Sequence, residues 1–396
     1  MSLLKPTKAF GIVCLSLLSQ SACTNEAQTL PPPANLNLNL PAGFKANIFS
    51  QLDNIGTPRM MAIAPNGLLT VALVNGKIVQ LPDADQNGVA VAPIVIAENL
   101  NSPNAVAFSD NFMFISNQDG IVKSQLKDGV WTKPMPLISN LPDGGHTLKT
   151  VKIGPDNHLY LNVGSSCNVC TETDPMRATI LRFEQNGKPA GALETLGRHA
   201  PNPTWARGLR NSQSFAWQPK TGAMFATNNG ADMRSDSKGG KVNDDIPPEH
   251  FNQIVAGQHY GWPHCWGKKI VDPNFAGSDG FCATSTPPAI TFDSHSTPIG
   301  FTFLHNAKFP AEFKTDAIVA LHGSWNRKNP SGYKLVRVKF EGDKPVKVED
   351  FATGWLSEKG AWGRPVDVIV GRDGALYVSD DRSGYIVRIT YTEAKK

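Results

Sequence analysis

A polar turn, an apolar strand, a glycine turn and a second apolar strand recur along this chain, and no other feature narrows its fold as far. The unit reads Pro65-Asn66-Gly67-Leu68-Leu69-Thr70-Val71 followed by Gly76-Lys77-Ile78-Val79. It returns as Pro155-Asp156-Asn157-His158-Leu159-Tyr160-Leu161, and again as Asp373-Gly374-Ala375-Leu376-Tyr377-Val378 followed by Gly384-Tyr385-Ile386-Val387-Arg388-Ile389. Weaker copies begin near Ser109, Pro219 and Lys314, which makes six units. Long helical periodicity is absent, so the chain reads as all-β. A four-stranded sheet with two apolar faces cannot stand alone; six of them stacked radially bury those faces and leave only short edges, which predicts a β-propeller in one domain spanning 41–392. The spacing of the units exceeds the roughly 40 to 50 residues a minimal blade needs, so some blades carry long inserted loops. The largest insertion runs from about Met233 to Pro288, and inserted loops gather at one mouth of a propeller, where function is to be sought.

The 35 Gly and 30 Pro among 396 residues, 40% of them hydrophobic, supply the turns and the core such a ring needs. The net charge of +4 comes from 38 basic and 34 acidic residues spread along the chain without a basic block, which excludes nucleic acid as a partner. At the N-terminus, Lys5 and Lys8 precede an apolar run from Ala9 to Leu18, then Ser21 and Ala22 before Cys23. That order reads as a signal peptide over 1–22, its apolar run falling short of the ~20 residues of a membrane span. The residues around Cys23 resemble a bacterial lipoprotein cleavage box, with Gln20 departing from its aliphatic preference; ordinary cleavage is the alternative. Residues 23–40, with Pro31-Pro32-Pro33, read as a tether. The expected location is periplasmic, with a lipid on Cys23 as the only membrane contact. With Cys14 lost and Cys23 assigned to lipid, Cys167 with Cys170 and Cys265 with Cys282 are the natural local disulfides. Three connectivities are open to four cysteines, and zinc binding or redox exchange by Cys167 and Cys170 are the rival uses.

Polar clusters beside rigid turns supply the candidate chemistry: Gly144-Gly145-His146, Arg207-Gly208-Leu209-Arg210-Asn211, Asn228-Asn229-Gly230-Ala231-Asp232, His322-Gly323-Ser324-Trp325-Asn326-Arg327 and Gly363-Arg364-Pro365. Together with Val163-Gly164-Ser165-Ser166-Cys167-Asn168-Val169-Cys170 and Ala256-Gly257-Gln258-His259-Tyr260-Gly261-Trp262-Pro263, they carry a resemblance. From about Leu40 to Ile389 the chain resembles the soluble pyrroloquinoline-quinone-dependent sugar and aldose dehydrogenases, most closely their L-sorbosone dehydrogenase-like branch.

The resemblance implies a six-bladed β-propeller in which His146 is the general base that takes a substrate hydroxyl proton while hydride passes to pyrroloquinoline quinone (PQQ). It matches Arg210, Asn211 and Arg364 to cofactor contacts, and the backbone carbonyls of Gly230 and Ala231 to a catalytic calcium (Ca2+). Guanidinium forks suit the three carboxylates of the quinone, and a hard cation suits oxygen ligands. Three departures stand out. Ala231 replaces the usual proline, the family's cofactor lysine falls at Asn326 or Arg327, and a second cofactor arginine falls at Val366. Arg327 is the candidate substitute.

The function expected is therefore oxidation of an aldose, a sorbosone-like aldehyde or a related hydroxyl compound. Electrons would leave to a separate quinone or cytochrome, since the chain has no Cys-x-x-Cys-His haem signature. A calcium-dependent propeller lactonase or esterase and a non-enzymatic ligand-binding propeller are the alternatives. Asp244, Asp245 and Glu249 are candidates for a second, structural calcium, with a solvated acidic loop as the ordinary reading.

Overall fold

The computed structural model describes residues 27–193 and 202–393; the expected signal peptide and Cys23 lie outside them. Six antiparallel four-stranded sheets form the six blades of a β-propeller. Blade 1 is Pro58–Ile63, Leu69–Leu73, Lys77–Leu81 and Ile94–Ala97. Blade 2 is Ala105–Ser109, Phe112–Ser116, Ile121–Lys127 and Met135–Ile138, with the short Val130–Trp131 paired to its third strand. Blade 3 is Val151–Ile153, Leu159–Val163, Thr179–Phe183 and Thr204–Arg207, and blade 4 is Phe215–Trp217, Met224–Asn228, Glu249–Ile254 and Ile290–Phe292. Blade 5 is Pro298–Phe303, Ala317–Leu321, Lys334–Glu341 and Lys344–Ala352. Blade 6 takes Pro365–Val370, Leu376–Asp380 and Tyr385–Tyr391 from the C-terminal end and its outer strand, Phe44–Gln51, from the N-terminal end. Phe44 stands opposite Tyr391 and Gln51 opposite Tyr385, so one hairpin-free pairing closes the ring.

Each of the six sequence units falls on the turn between the first and second strand of a different blade. The regular signal thus marks one face of the ring. Hydrophobic burial is divided among the seams between blades: Val71, Leu73 and Val79 of blade 1 pack with Tyr377 and Ile386 of blade 6, and Phe225 and Phe251 of blade 4 pack with Phe301 and Val319 of blade 5. Apolar residues on both faces of a sheet have no other way to leave water.

The stretch expected to be a tether does not hang free from residue 27 onward. Leu30, Leu36, Leu38 and Leu40 pack against the core shared by blades 5 and 6. Backbone N–H groups of Leu30 and Asn39 donate to the carbonyls of Ala361 and Thr353, and the Tyr385 hydroxyl donates to Pro33 O. Four leucines at this spacing carry more apolar surface than a solvated linker leaves exposed.

The large insertion divides into two parts, 229–248 and 255–289. The second leaves the face that bears the repeats and climbs the outer strand of blade 3: Arg207 N–H donates to Gln258 O, Tyr260 N–H to Arg207 O and Trp262 N–H to Gly208 O. It reaches the opposite mouth, where the Cys265–Cys282 disulfide ties it to its own short helix Asp279–Thr284.

Candidate active site

In an antiparallel blade, the connection entering the first strand and that joining the second to the third emerge on the same face. His146 lies on the way into blade 3, Arg210 and Asn211 on the way into blade 4, and Arg364 on the way into blade 6. Gly230, Ala231 and Asp232 follow the second strand of blade 4, and Asn326 and Arg327 follow the second strand of blade 5. All the candidates therefore share the mouth opposite the repeated turns.

His146 is held by Ser165. The His146 N–H donates to Ser165 O at 2.9 Å, and Nδ1 lies 2.9 Å from Ser165 Oγ and 3.2 Å from Ser165 O. Because Ser165 Oγ donates its own proton to Cys167 O at 2.7 Å, both of these oxygens face Nδ1 as acceptors. Nδ1 thus carries the proton and Nε2 the lone pair. Burial, reinforced by the Arg210 charge, pushes the imidazole pKa down to about 4, so it is neutral at ordinary pH. Gly145 allows the close approach: its φ is +63°, and a Cβ there would lie 2.5 Å from Ser165 O. Behind the turn, the buried Lys149 ammonium donates to the carbonyls of Pro142 at 2.8 Å, Thr147 at 3.1 Å and Gln118.

Arg210 is 3% exposed, and its donors go to four oxygens: Gly230 O at 2.6 Å, Asp232 Oδ2 at 2.8 Å, Asn168 O at 3.0 Å and Asn168 Oδ1 at 2.8 Å. The other Asp232 oxygen accepts from Asn326 Nδ2 at 2.9 Å and lies 3.8 Å from His295 Nδ1. Gly230 N–H donates to Glu249 Oε2 at 2.5 Å, and burial pushes the Glu249 pKa up to about 7. Asn211 is buried, its N–H donating to Asn228 Oδ1 at 3.0 Å.

Two buried oxygens beside this set, Asn229 Oδ1 and Asn326 Oδ1, have no hydrogen-bond partner. Both are acceptors, so a cation or a hydrogen-bond donor would satisfy them. With the second lone pair of Gly230 O, this donor chemistry fits a hard cation next to Gly230 and Ala231.

The remaining candidates stand apart from that set. Arg364 donates to the carbonyls of His322 at 3.4 Å and Gly323 at 2.9 Å. His322 Nε2 is 2.9 Å from Asp381 Oδ1, whose other oxygen pairs with Arg59 at 2.7 Å. Arg59 continues to Asn104 Oδ1 and Gln213 Oε1, both at 3.1 Å, so this network spans the channel. Against the upward push of burial, His322 and Arg59 hold the Asp381 carboxyl well below the usual range. Arg327 is turned to Ser294 O at 3.0 Å and Asp245 Oδ1 at 2.5 Å, leaving Asn326 as the residue of that pair that meets Asp232. Val366 is fully buried among apolar side chains. Cys167 and Cys170 form a disulfide, which commits the sulfurs that the zinc alternative required.

Residue type alone gave no role to Ser165, Asn168, Asp232, Arg59 or Asp381. Asp232 follows a glycine turn, a common place for a solvated carboxylate, and only its distances to Arg210 and Asn326 distinguish it.

The model of the TrAA12-like family matches residues 38–392. An uncharacterized protein of Borreliella burgdorferi is 27% identical over 89% of this chain and 91% of its own length. The pyrroloquinoline quinone-dependent pyranose dehydrogenase of Coprinopsis cinerea is 23% identical over 90% of this chain, which spans 55% of that enzyme. Among solved structures, the calcium structure of a Trichoderma reesei member of carbohydrate-active enzyme family AA12 superposes with a TM-score of 0.75 at 19% identity, covering 92% of this chain and 99% of that one.

Proposed function

The chain belongs to the TrAA12-like family, and from that premise we propose that it is an exported dehydrogenase that oxidises an aldose, a sorbosone-like aldehyde or a related hydroxyl compound with pyrroloquinoline quinone and calcium. The observation that carries the reading is a neutral imidazole with its lone pair on Nε2, sharing one mouth with a buried arginine and an oxygen-rich turn. The name of the Coprinopsis relative and the calcium of the Trichoderma structure support the choice of cofactors.

When bound, the quinone supplies a two-electron acceptor and the calcium a Lewis acid that polarises it. Gly230 O and Ala231 O would hold the metal, with Asn229 Oδ1 and Asn326 Oδ1 as further oxygens nearby. Arg210, Asn211 and Arg364 would meet the cofactor's oxygens, and Arg327 would reach it only by leaving Asp245. His146 accepts the substrate hydroxyl proton at Nε2; Ser165 keeps the ring in the tautomer that can do so. The electron acceptor is a separate quinone or cytochrome. Export, and the lipid on Cys23, belong to the same proposal.

The test is reconstitution of purified protein with calcium and pyrroloquinoline quinone, followed by dye reduction with a panel of aldoses. Tight cofactor binding and sugar-dependent turnover are expected. The absence of both binding and turnover overturns the proposal, as does lactone hydrolysis without cofactor.

A further inference from the structure

We infer that Asn168, held in the four-residue ring closed by the Cys167–Cys170 disulfide, is the positioning residue that fixes Arg210 and Asp232 against each other in the candidate site. Its side-chain amide forms a cyclic pair with the backbone of Asp232: Nδ2 donates to Asp232 O at 2.9 Å and Oδ1 accepts from Asp232 N–H at 2.8 Å. The same Oδ1 accepts from Arg210 at 2.8 Å, and the Asn168 carbonyl accepts from Arg210 Nε at 3.0 Å and from Trp262 Nε1 at 3.2 Å. One residue of blade 3 thus makes five hydrogen bonds to three other segments, two of them in blade 4.

Ordering a loop residue to this degree costs conformational entropy. The disulfide lowers that cost by confining Cys167, Asn168, Val169 and Cys170 before any of these bonds form. Cys167 also presents to Ser165 the carbonyl that sets the His146 tautomer, so the ring touches both halves of the site. Only asparagine supplies all of these side-chain bonds at this position. Aspartate would keep the oxygen that Arg210 and Asp232 N–H use but lose the donor to Asp232 O, and alanine would lose both.

The inference rests on the proposed function only for the identity of the ligand, and its first test needs none. In apoprotein, hydrogen–deuterium exchange resolved to single residues should show the Asp232 amide exchanging at least about tenfold faster in Asn168→Ala than in wild type. In Asn168→Asp the amide should stay close to wild-type protection, and blade-strand amides should be unchanged in all three proteins. A general loss of stability would not produce rescue by the aspartate. Should Asn168→Ala lose strand protection throughout, Asn168→Ser, which lacks the amide, carries the same comparison. The Cys167→Ser/Cys170→Ser double variant should also expose the Asp232 amide. An Asp232 amide exchanging at the wild-type rate in the alanine or serine variant, or in the double variant, overturns the inference, as does an aspartate variant that behaves like alanine. In a second arm, affinity for pyrroloquinoline quinone with calcium, read from the cofactor absorbance, should fall about tenfold in Asn168→Ala. Wild-type protein that binds no quinone would sink the proposed function while leaving the exchange result standing; wild-type affinity in a variant with an exposed Asp232 amide would overturn the role of Asn168 in the site.

Discussion

A base is useful at neutral pH only when its lone pair is free and aimed, and in His146, the base proposed above, two neighbours would secure this separately. Ser165 sets which nitrogen is protonated, while burial and Arg210 keep the second proton off until the pH falls to about 4. An unperturbed histidine would lose its basic form below about pH 6.5. With the pKa lowered, kcat/KM for sugar oxidation should stay level on acidification through pH 6 and fall only as the pH approaches 4. A rate profile with its acid limb near 6.5 would contradict the buried, neutral imidazole. His146→Gln should lower turnover by on the order of 10²–10⁴-fold while cofactor absorbance is retained. As a candidate, His146 was legible in the sequence through the family resemblance, which implies a general base there, and an imidazole suits that role near neutral pH. Asn168 and Asp232 were not, because an amide or carboxylate acquires its role from distances between blades that no local pattern encodes.

At the scale of the element, the outer strand of blade 6 has an unusual burden, since it joins the two ends of the described chain. Its first residue, Phe44, sits 4.8 Å from the ring of Phe309, 5.3 Å from Phe313, 5.2 Å from Phe351 and 5.0 Å from Tyr391, linking blades 5 and 6. Phe44→Ala should therefore cost about 3–5 kcal/mol, within the range for a buried phenylalanine. Urea unfolding followed by tryptophan fluorescence should show a lower midpoint; a shift smaller than about 1 kcal/mol would mean that ring closure does not depend on this residue. The blades were legible because their first hairpins repeat the same turn chemistry under the same demand, two short strands joined tightly on the face opposite the candidate site. The connections on the other face answer to no common demand. Segment 255–289 leaves the wrong end of its blade and returns along a neighbour, a course set by pairing with Arg207 and Gly208 rather than by its own periodicity. Residues 27–40 misled for a related reason: three consecutive prolines suggested a solvated linker, but Leu36, Leu38 and Leu40 determine where the segment lies.

The ring as a whole encloses titratable groups that an open sheet would leave in water, and their combined effect decides how stability responds to acid. Burial lowers His146, His250, His259 and His322 each to about 4. Between about pH 4 and 6.5 the unfolded chain binds protons at these four positions that the folded chain does not, so stability rises with pH across that window. Glu249, raised to about 7, and Asp380, raised to about 6, act in the opposite sense, because there the folded chain holds the extra proton. Burial also raises Asp367 and lowers His295 and His305, so the lowered histidines outnumber the raised carboxyls, and each net proton is worth about 1.4 kcal/mol per pH unit. The apoprotein should accordingly gain thermal stability from about pH 4.5 to 6 and then turn over gently toward pH 7, where the histidines become neutral in both states and Glu249 still holds its extra proton in the folded chain. Differential scanning calorimetry at constant ionic strength reads this directly. A Tm that stays level or falls over the interval would show that the buried imidazoles are hydrated or charged in the folded protein, and the base assigned to His146 would lose its physical footing with them.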